Sequence, residues 1–487
     1  MHLVSVGAGT LRRLRENFNL EIEKERLEFL RRLHPIIDRM VDYPDIRGIF
    51  STDEIESLLL DFINHWGERD FDHKHYEFVE LLVKGGYKDE PPSSSLLRTT
   101  PLHRAARRNI DGPIHCLFRI YRNFEANYVD EFGLTHFHIA CQYSCHGVVK
   151  RFLELGRVDV NCPVPETGDS PLHLALACQY GCKKMATLLL NNGANPNLAD
   201  AKGSTFLHII SPHYSTSFLE MVFRTRDGED RAVQVNARNE SGNTPLHLAV
   251  ASGNAATAKW LLKRGADPNM ADAEGSTALH LICERNDVVS AKMLFKMNDE
   301  LNQSVWVDAL NNSGRTPLQL AVSYFNPSLV DVLLDRGADL SSFVFPTKSY
   351  FCKQFHLNNF YKLKLAIDAP AVANSLEKRG YELDKGDALM IMKLFAKHEL
   401  FEKSGQLEKS YLDDEEFASK AKELMINPSL SLYELIQLPA EEVAKIFTYA
   451  DYLKIDKSQI WRGFSEGIRN ACNVHLCEMA SRGPSIT

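Results

Sequence analysis

Residues 244–269 read TPLHLAVASGNAATAKWLLKRGADPN, and the fold follows from this stretch. The hydroxyl of Thr244 can cap a helix N-terminus, and Pro245 suits the first helical position, where its missing N–H would be unpaired anyway. Leu246 and Ala249 fall on one helical face, where the small Ala lets a paired helix approach. Leu261-Leu262 belongs to a second helix, and Gly265 is placed to end it with a left-handed backbone. The Gly265-Ala266-Asp267-Pro268-Asn269 run then leads toward a turn. Asp200-Ala201-Lys202-Gly203 has the composition of such a projecting turn.

The first half of the stretch recurs as TPLHRA at 100–105, THFHIA at 135–140, SPLHLA at 170–175, TFLHII at 205–210, TALHLI at 277–282 and TPLQLA at 316–321. The hydroxyl position repeats at spacings of 35, 35, 35, 39, 33 and 39. The second half keeps phase: Leu189-Leu190 leads to Gly193, and Leu333-Leu334 to Gly337. The glycine falls 21 residues after the hydroxyl in three copies (135 to 156, 244 to 265, 316 to 337) and 23 after it in the copy at 170, through an addition near 177–180. Gln319 replaces His in the last copy, and Ile210 and Ile282 replace the small Ala, where helix spacing is expected to widen. Extra residues at 224–231 and around 298–304 are expected in exposed loops.

These motifs resemble the ankyrin family, whose repeat is about 33 residues around a T-P-L-H-x-A core. The resemblance covers residues 99–342 as about seven repeats and implies an all-α solenoid. Such a stack buries each repeat on its neighbours and leaves a long concave surface for a protein partner. The expected contacts on the turns are Tyr128, Glu131, Phe132, Lys202, Arg238, Glu240, Met270, Glu274 and Asn312. Each of these also fits an ordinary solvated turn residue.

Two flanks complete the chain. In residues 1–90, apolar residues at helical spacing (Leu11, Leu14, Phe18; Leu27, Leu30, Leu33; Ile55, Leu58, Leu59, Phe62) predict helices that cap the stack. Ser51-Thr52-Asp53-Glu54 reads as a helix start, and 91–95 as a linker. Residues 345–487 lose the period and predict helices at 361–378, 385–401, 414–425, 432–436, 440–449 and 458–479. Leu438-Pro439-Ala440-Glu441 followed by Val443, Ile446 and Phe447 resembles the opening of an F-box. An F-box-like ending behind ankyrin repeats, with Cys477 to Gly483 in the tail, is similar to the pox ankyrin C-terminal (PRANC) family. That resemblance implies an adaptor that presents a target to a cullin-type ubiquitin ligase through a Skp-type linker. Leu438, Pro439, Val443, Ile446 and Phe447 would be its anchors, although Glu442 shifts the apolar position by one. The other reading is a plain scaffold or sequestering protein, with Val443, Ile446 and Phe447 in the core of a helical cap.

Composition narrows the alternatives. The 487 residues are too many for one core. With 64 acidic and 56 basic residues the net charge is −8, which gives no basic stripe for nucleic acid or an anionic membrane. No run of about eighteen apolar residues predicts a membrane span, and no secretory signal is visible. The ten cysteines are then expected as free thiols in a cytoplasmic setting, with the nucleus as an alternative. His65, His73 and His75 near Asp70 and Asp72 match no familiar metal spacing. Cys141, Cys145, His138 and His146, partly echoed by Cys178, Cys182 and His173, are explained by the repeat. No nucleotide-binding or hydrolase motif occurs, so neither cofactor, metal nor catalytic residue is expected.

Overall fold

The computed structural model describes residues 8–40, 42–66, 76–90, 96–176, 182–224, 232–346, 359–397, 415–439, 442–443, 446–447, 451, 454–455 and 457–481. It divides into two compact units, Met1–Pro245 and Leu246–Thr487.

The first unit opens with helices α1 (Ala8–Glu16), α2 (Glu23–Ile37), α3 (Thr52–Asn64) and α4 (Tyr76–Lys84). Ser51 and Glu54 form the reciprocal capping box that starts α3. Phe29, Leu30 and Leu33 of α2 and Ile55, Leu58, Leu59 and Phe62 of α3 are buried, and the two helices pack together. Arg26 Nε donates to Asp61 Oδ2 at 2.5 Å between them. Then come helix pairs α5 (Pro101–Arg107) with α6 (Ile114–Ile120), α7 (His136–Gln142) with α8 (His146–Leu155), α9 (Pro171–Leu174) with α10 (Cys182–Leu190), and α11 (Phe206–Ile210) with α12 (Thr216–Phe223). Helix α3 packs on α5 and α4 on α6, so the N-terminal helices cover the first pair.

Helix α13 (Pro245–Ala251) begins at the boundary, and the second unit holds α14 (Ala255–Lys263), α15 (Ala278–Glu284), α16 (Val288–Glu300), α17 (Pro317–Ser323) and α18 (Pro327–Asp335). Beyond it lie α19 (Asn359–Lys378), α20 (Lys385–Lys397), α21 (Glu415–Glu423), strands β1 (Met425–Asn427) and β2 (Leu430–Ser431), α22 (Leu432–Leu435), α23 (Gln459–Arg462) and α24 (Glu466–Ser481). Helix α19 packs along α24 and against α18. No helix among the described residues is long and apolar enough to cross a membrane.

Three expectations are corrected. The C-terminal flank is not wholly helical: β1 and β2 pair antiparallel across a turn in which Asn427 Oδ1 accepts from the Ser429 N–H at 2.9 Å. Pro428 disfavours helix at Asn427, in keeping with its place at the end of β1. The helix expected over 458–479 breaks at Gly463, the cap of α23, and resumes at Glu466. Part of the extra stretch at 298–304 is not loop, since α16 runs to Glu300 and buries Asn298. The additions at 177–180 and 225–231 lie outside the described residues, as does most of the helix expected over 440–449.

One bonding scheme recurs in both units. Thr135 donates its backbone N–H to His138 Nδ1, and its hydroxyl accepts the His138 N–H. An accepting Nδ1 leaves the proton on Nε2, which donates to the Cys162 carbonyl of the following segment at 2.8 Å. The same Nε2–H bond runs from His103 to Leu134 (3.0 Å), His173 to Ser204 (3.1 Å), His208 to Asn243 (2.9 Å), His247 to Ser276 (3.1 Å) and His280 to Arg315 (3.0 Å). Gln319, the odd residue in the motif, meets both demands. Its Oε1 accepts from the Thr316 N–H at 3.0 Å and its Nε2 donates to the Val344 carbonyl at 3.1 Å. The motif therefore asks for an acceptor and a donor at fixed separation, not for an imidazole as such.

His280→Ala is expected to cost about 1–3 kcal/mol, because it strips partners from two largely buried backbone groups. Chemical denaturation of the full chain measures it. His280→Gln is expected to keep most of that stability.

Burial lowers the pKa of His138, His173, His208 and His280, and pushes His103 down to about 4. The unfolded chain, with histidines near 6.5, binds protons that the folded chain refuses. Stability therefore rises with pH across this window and is lost as pH falls below about 6.5. Melting temperatures at about pH 7.5 and about pH 5 should show a smaller drop for His280→Gln than for the natural chain.

Candidate protein-binding surface

The turns between helix pairs are built from an Asp or Asn that roofs its own loop. Asp130 Oδ1 accepts from the N–H groups of Phe132 and Leu134 at 3.0 and 2.9 Å. Asp200 does so for Lys202 and Ser204 at 2.8 and 2.7 Å, and Asp272 for Glu274 and Ser276 at 3.0 and 2.7 Å. Asn311 accepts from Ser313 and Arg315, both at 3.0 Å. Neighbouring turns are stitched together by backbone bonds, from the Ala201 N–H to Thr167 O, Glu240 to Lys202 and Asn312 to Glu274, each at 2.9 Å. Gly275 shows how close they come: at φ +75°, a Cβ on it would lie 2.7 Å from the Asn312 backbone nitrogen. The turn backbones are thus largely satisfied by the turns' own Asp and Asn side chains and by backbone bonds.

The expected contact residues divide accordingly. Glu131, Phe132, Lys202, Arg238, Glu240, Glu274 and Asn312 are exposed, and Met270 is half-buried. Asn312 is already engaged, its Nδ2 donating to the Ala273 carbonyl at 2.8 Å. Phe132 is 44% exposed, with the Arg107 guanidinium 4.1 Å from its ring centre.

Tyr128 is a correction. It is 1% exposed, its hydroxyl donates to Asp89, and its ring meets His136 edge-on. It belongs to the wall between the N-terminal flank and the first helix pair. In that wall Arg98 bridges Asp89 at 3.0 Å and Glu56 at 3.1 Å, and the Tyr121 hydroxyl donates to Glu56 at 2.9 Å. Burial raises the Glu56 carboxyl above its usual range despite Arg98 and Tyr121, and it also raises the Tyr121 and Tyr128 hydroxyls.

The sequence reading missed the apolar surface of the second unit. Trp306 is 60% exposed and Leu310 65%. The Trp306 N–H donates to Asn269 Oδ1 at 2.8 Å, which fixes the start of this segment while its ring faces water. The available signal was the apolar run Val305-Trp306-Val307, with Leu310 close behind, in the connection that follows the extra residues at 298–304.

In the C-terminal flank, Pro439 starts a helical turn, its carbonyl accepting from Glu442 and Val443 at 2.9 and 3.1 Å. Val443 and Phe447 are buried, which corrects their expected role as partner anchors: both point into this unit's own core. Leu438 is half-buried, Pro439 exposed and Ile446 46% exposed. His475 Nε2 lies 3.1 Å from the Ile436 carbonyl, tying α24 to this segment.

The other singled-out groups have local roles. Cys145 Sγ lies 3.3 Å from His115 Nδ1. His65 Nδ1 is 3.0 Å from the carbonyl of Asp61. His73, His75, Asp70, Asp72 and Cys178 lie outside the described residues. Cys141, Cys283 and Cys472 are buried free thiols, and burial raises all three.

Comparison with known proteins assigns the array. The family described as ankyrin repeats (3 copies) matches residues 102–200, 174–272 and 265–343. The mouse B-cell lymphoma 3 protein homolog is 35% identical over 152 residues, 30% of this chain and 32% of that protein. The human transient receptor potential cation channel subfamily A member 1 is 24% identical over 213 residues, 43% of this chain and 18% of the channel. The E3 ubiquitin-protein ligase KEG of Arabidopsis thaliana is 27% identical over 312 residues, 60% of this chain and 18% of the ligase. Each match therefore spans less than a third of the relative's length. The crystal structure of the ankyrin repeat domain of Bcl-3 aligns at 29% identity and a TM-score of 0.37, over 43% of this chain and 90% of that one. Residues 102–343 are ankyrin repeats.

Arg107 supports the first of the turns through Asp130, at 2.7 Å. Burial alone would raise the Asp130 carboxyl, but bonds from Arg107 and from the Leu134 and Phe132 N–H groups hold it below its usual range. Arg107→Met is expected to cost about 3 kcal/mol, because it leaves the Asp130 charge buried without its partner. Urea denaturation at neutral pH reads this out.

Proposed function

We propose that this chain, on the strength of its ankyrin repeats, is a non-catalytic protein-binding module. Seven repeats over residues 99–342 offer side chains at the turn tips and the concave face to a protein target. The observation that carries this reading is the division of labour in the turns. Asp and Asn side chains and backbone bonds satisfy the loop, so Glu131, Phe132, Lys202, Arg238, Glu240 and Glu274 are spared for recognition. Trp306 and Leu310 add the kind of apolar surface that anchors protein interfaces. A cytoplasmic or nuclear setting suits free thiols such as Cys141 and Cys283.

The finer reading is an adaptor. Residues 345–487 would dock on a Skp-type linker and cullin while the repeats hold the substrate. Support comes from the F-box-like run beginning at Leu438 and from the partial likeness to a ubiquitin ligase. Of the five expected anchors, Leu438, Pro439 and Ile446 have accessible surface for such a contact. The burial of Val443 and Phe447 favours a second reading, a plain scaffold whose C-terminal flank is a helical cap.

A capture experiment with the intact chain and Ile446→Asp separates them. In the adaptor reading, the natural chain retains the Skp-type linker and cullin, and Ile446→Asp loses both while still holding the repeat-bound target. Failure of the natural chain to retain either leaves the scaffold. In both readings Trp306→Ala is expected to weaken target capture while changing folding stability by less than about 0.5 kcal/mol, as an exposed side chain should.

A further inference from the structure

Helices α2 and α4 of the N-terminal flank bring together three side chains of metal-ligating type. His34 lies in the last turn of α2 and Asp38 caps that helix, four residues later. This i, i+4 spacing sets two donors on one helical face, the arrangement that lets a single helix grip an ion. Glu77 stands in the first turn of α4, which packs against α2. His34 Nδ1 lies 2.9 Å from Glu77 Oε2, and one donor atom from each of the three residues falls within 4.8 Å of the others. Two donors on one tetrahedral zinc ion, each bonded at about 2.0–2.1 Å, sit roughly 3.4 Å apart. The His34–Glu77 pair has to open by about 0.5 Å to admit an ion between its donors, and Asp38, which is exposed, has room to turn toward it.

We propose that His34, Asp38 and Glu77 form a divalent transition-metal site of the zinc class that clamps α2 to α4. The donor set decides the class. One imidazole with two carboxylates suits zinc or its neighbours, whereas calcium and magnesium take oxygen-only sets. Charge points the same way, because two carboxylates held this close repel each other and a doubly charged cation offsets both. His34 and Glu77 side chains are 24% and 28% exposed, so an ion reaches them from solvent. With three protein donors, a fourth position is left for water. The competing arrangement is the His34–Glu77 pair holding the two helices with no ion.

The test uses the full-length chain, stripped of metal, titrated with Zn2+ by calorimetry and with Co2+ by absorption. The expected result is one equivalent bound, a higher melting temperature, and a Co2+ spectrum of nitrogen and oxygen ligands. The absence of a thiolate charge-transfer band separates this site from the ten cysteines. Asp38→Asn, at an exposed cap, is expected to keep the metal-free melting temperature and to lower affinity at least about tenfold. His34→Gln is expected to do the same or more. No binding by the natural chain, a thiolate band, or unchanged affinity in both variants overturns the proposal.

Discussion

The repeat array rests on a two-ended hydrogen bond made by one side chain per repeat. At one end an acceptor closes the N-terminus of the inner helix; at the other a donor reaches the carbonyl that precedes the next repeat's cap. A helix N-terminus buried against a neighbour must have its N–H groups satisfied, and a five- or seven-residue helix has little cooperativity to spare. Removing this bridge therefore exposes a deficit in two repeats at once. Gln319 shows that geometry and hydrogen-bonding roles are what the position requires. Neutral imidazole also makes the stack sensitive to acid, since a protonated Nδ1 cannot accept.

The same economy fixes what is left for binding. The turns satisfy their own backbone through Asp and Asn, and they are packed too closely for a side chain at Gly275. Side chains without a part in closing the loops sit at the tips, where Glu131, Lys202, Glu240 and Glu274 reach solvent. Against the first helix pair, by contrast, the polar residues serve structure. Glu56, Asp89, Arg98, Tyr121 and Tyr128 form a buried network that joins the N-terminal helices to the repeats. Such a network is costly to leave half-paired, so it fixes how those helices meet the first repeat.

The C-terminal flank obeys different rules, having no period to impose a register. Its helices are held by α19 lying along α24 and by the bond between His475 and Ile436. The apolar positions that read as a docking stripe are shared between inside and outside: Val443 and Phe447 go inward and Ile446 outward. A stripe at helical spacing specifies one face, and what that face meets depends on where neighbouring elements lie.

The sequence by itself determined the repeats, their caps and the left-handed glycines that end helices, with φ of +90°, +88° and +86° at Gly193, Gly265 and Gly337. These are local: a hydroxyl, an acceptor three residues on and a glycine act within one or two turns of chain, and recurrence amplifies the signal. It also placed most of the exposed turn residues, because turn chemistry is equally local. Tertiary structure decided the rest. It buried Tyr128 under Asp89, turned Val443 and Phe447 inward, and left Trp306 facing water. It also brought Glu77 beside His34 through the packing of two helices far apart in the chain. In each case the outcome depends on which surface a distant segment covers, and no short stretch of sequence carries that information.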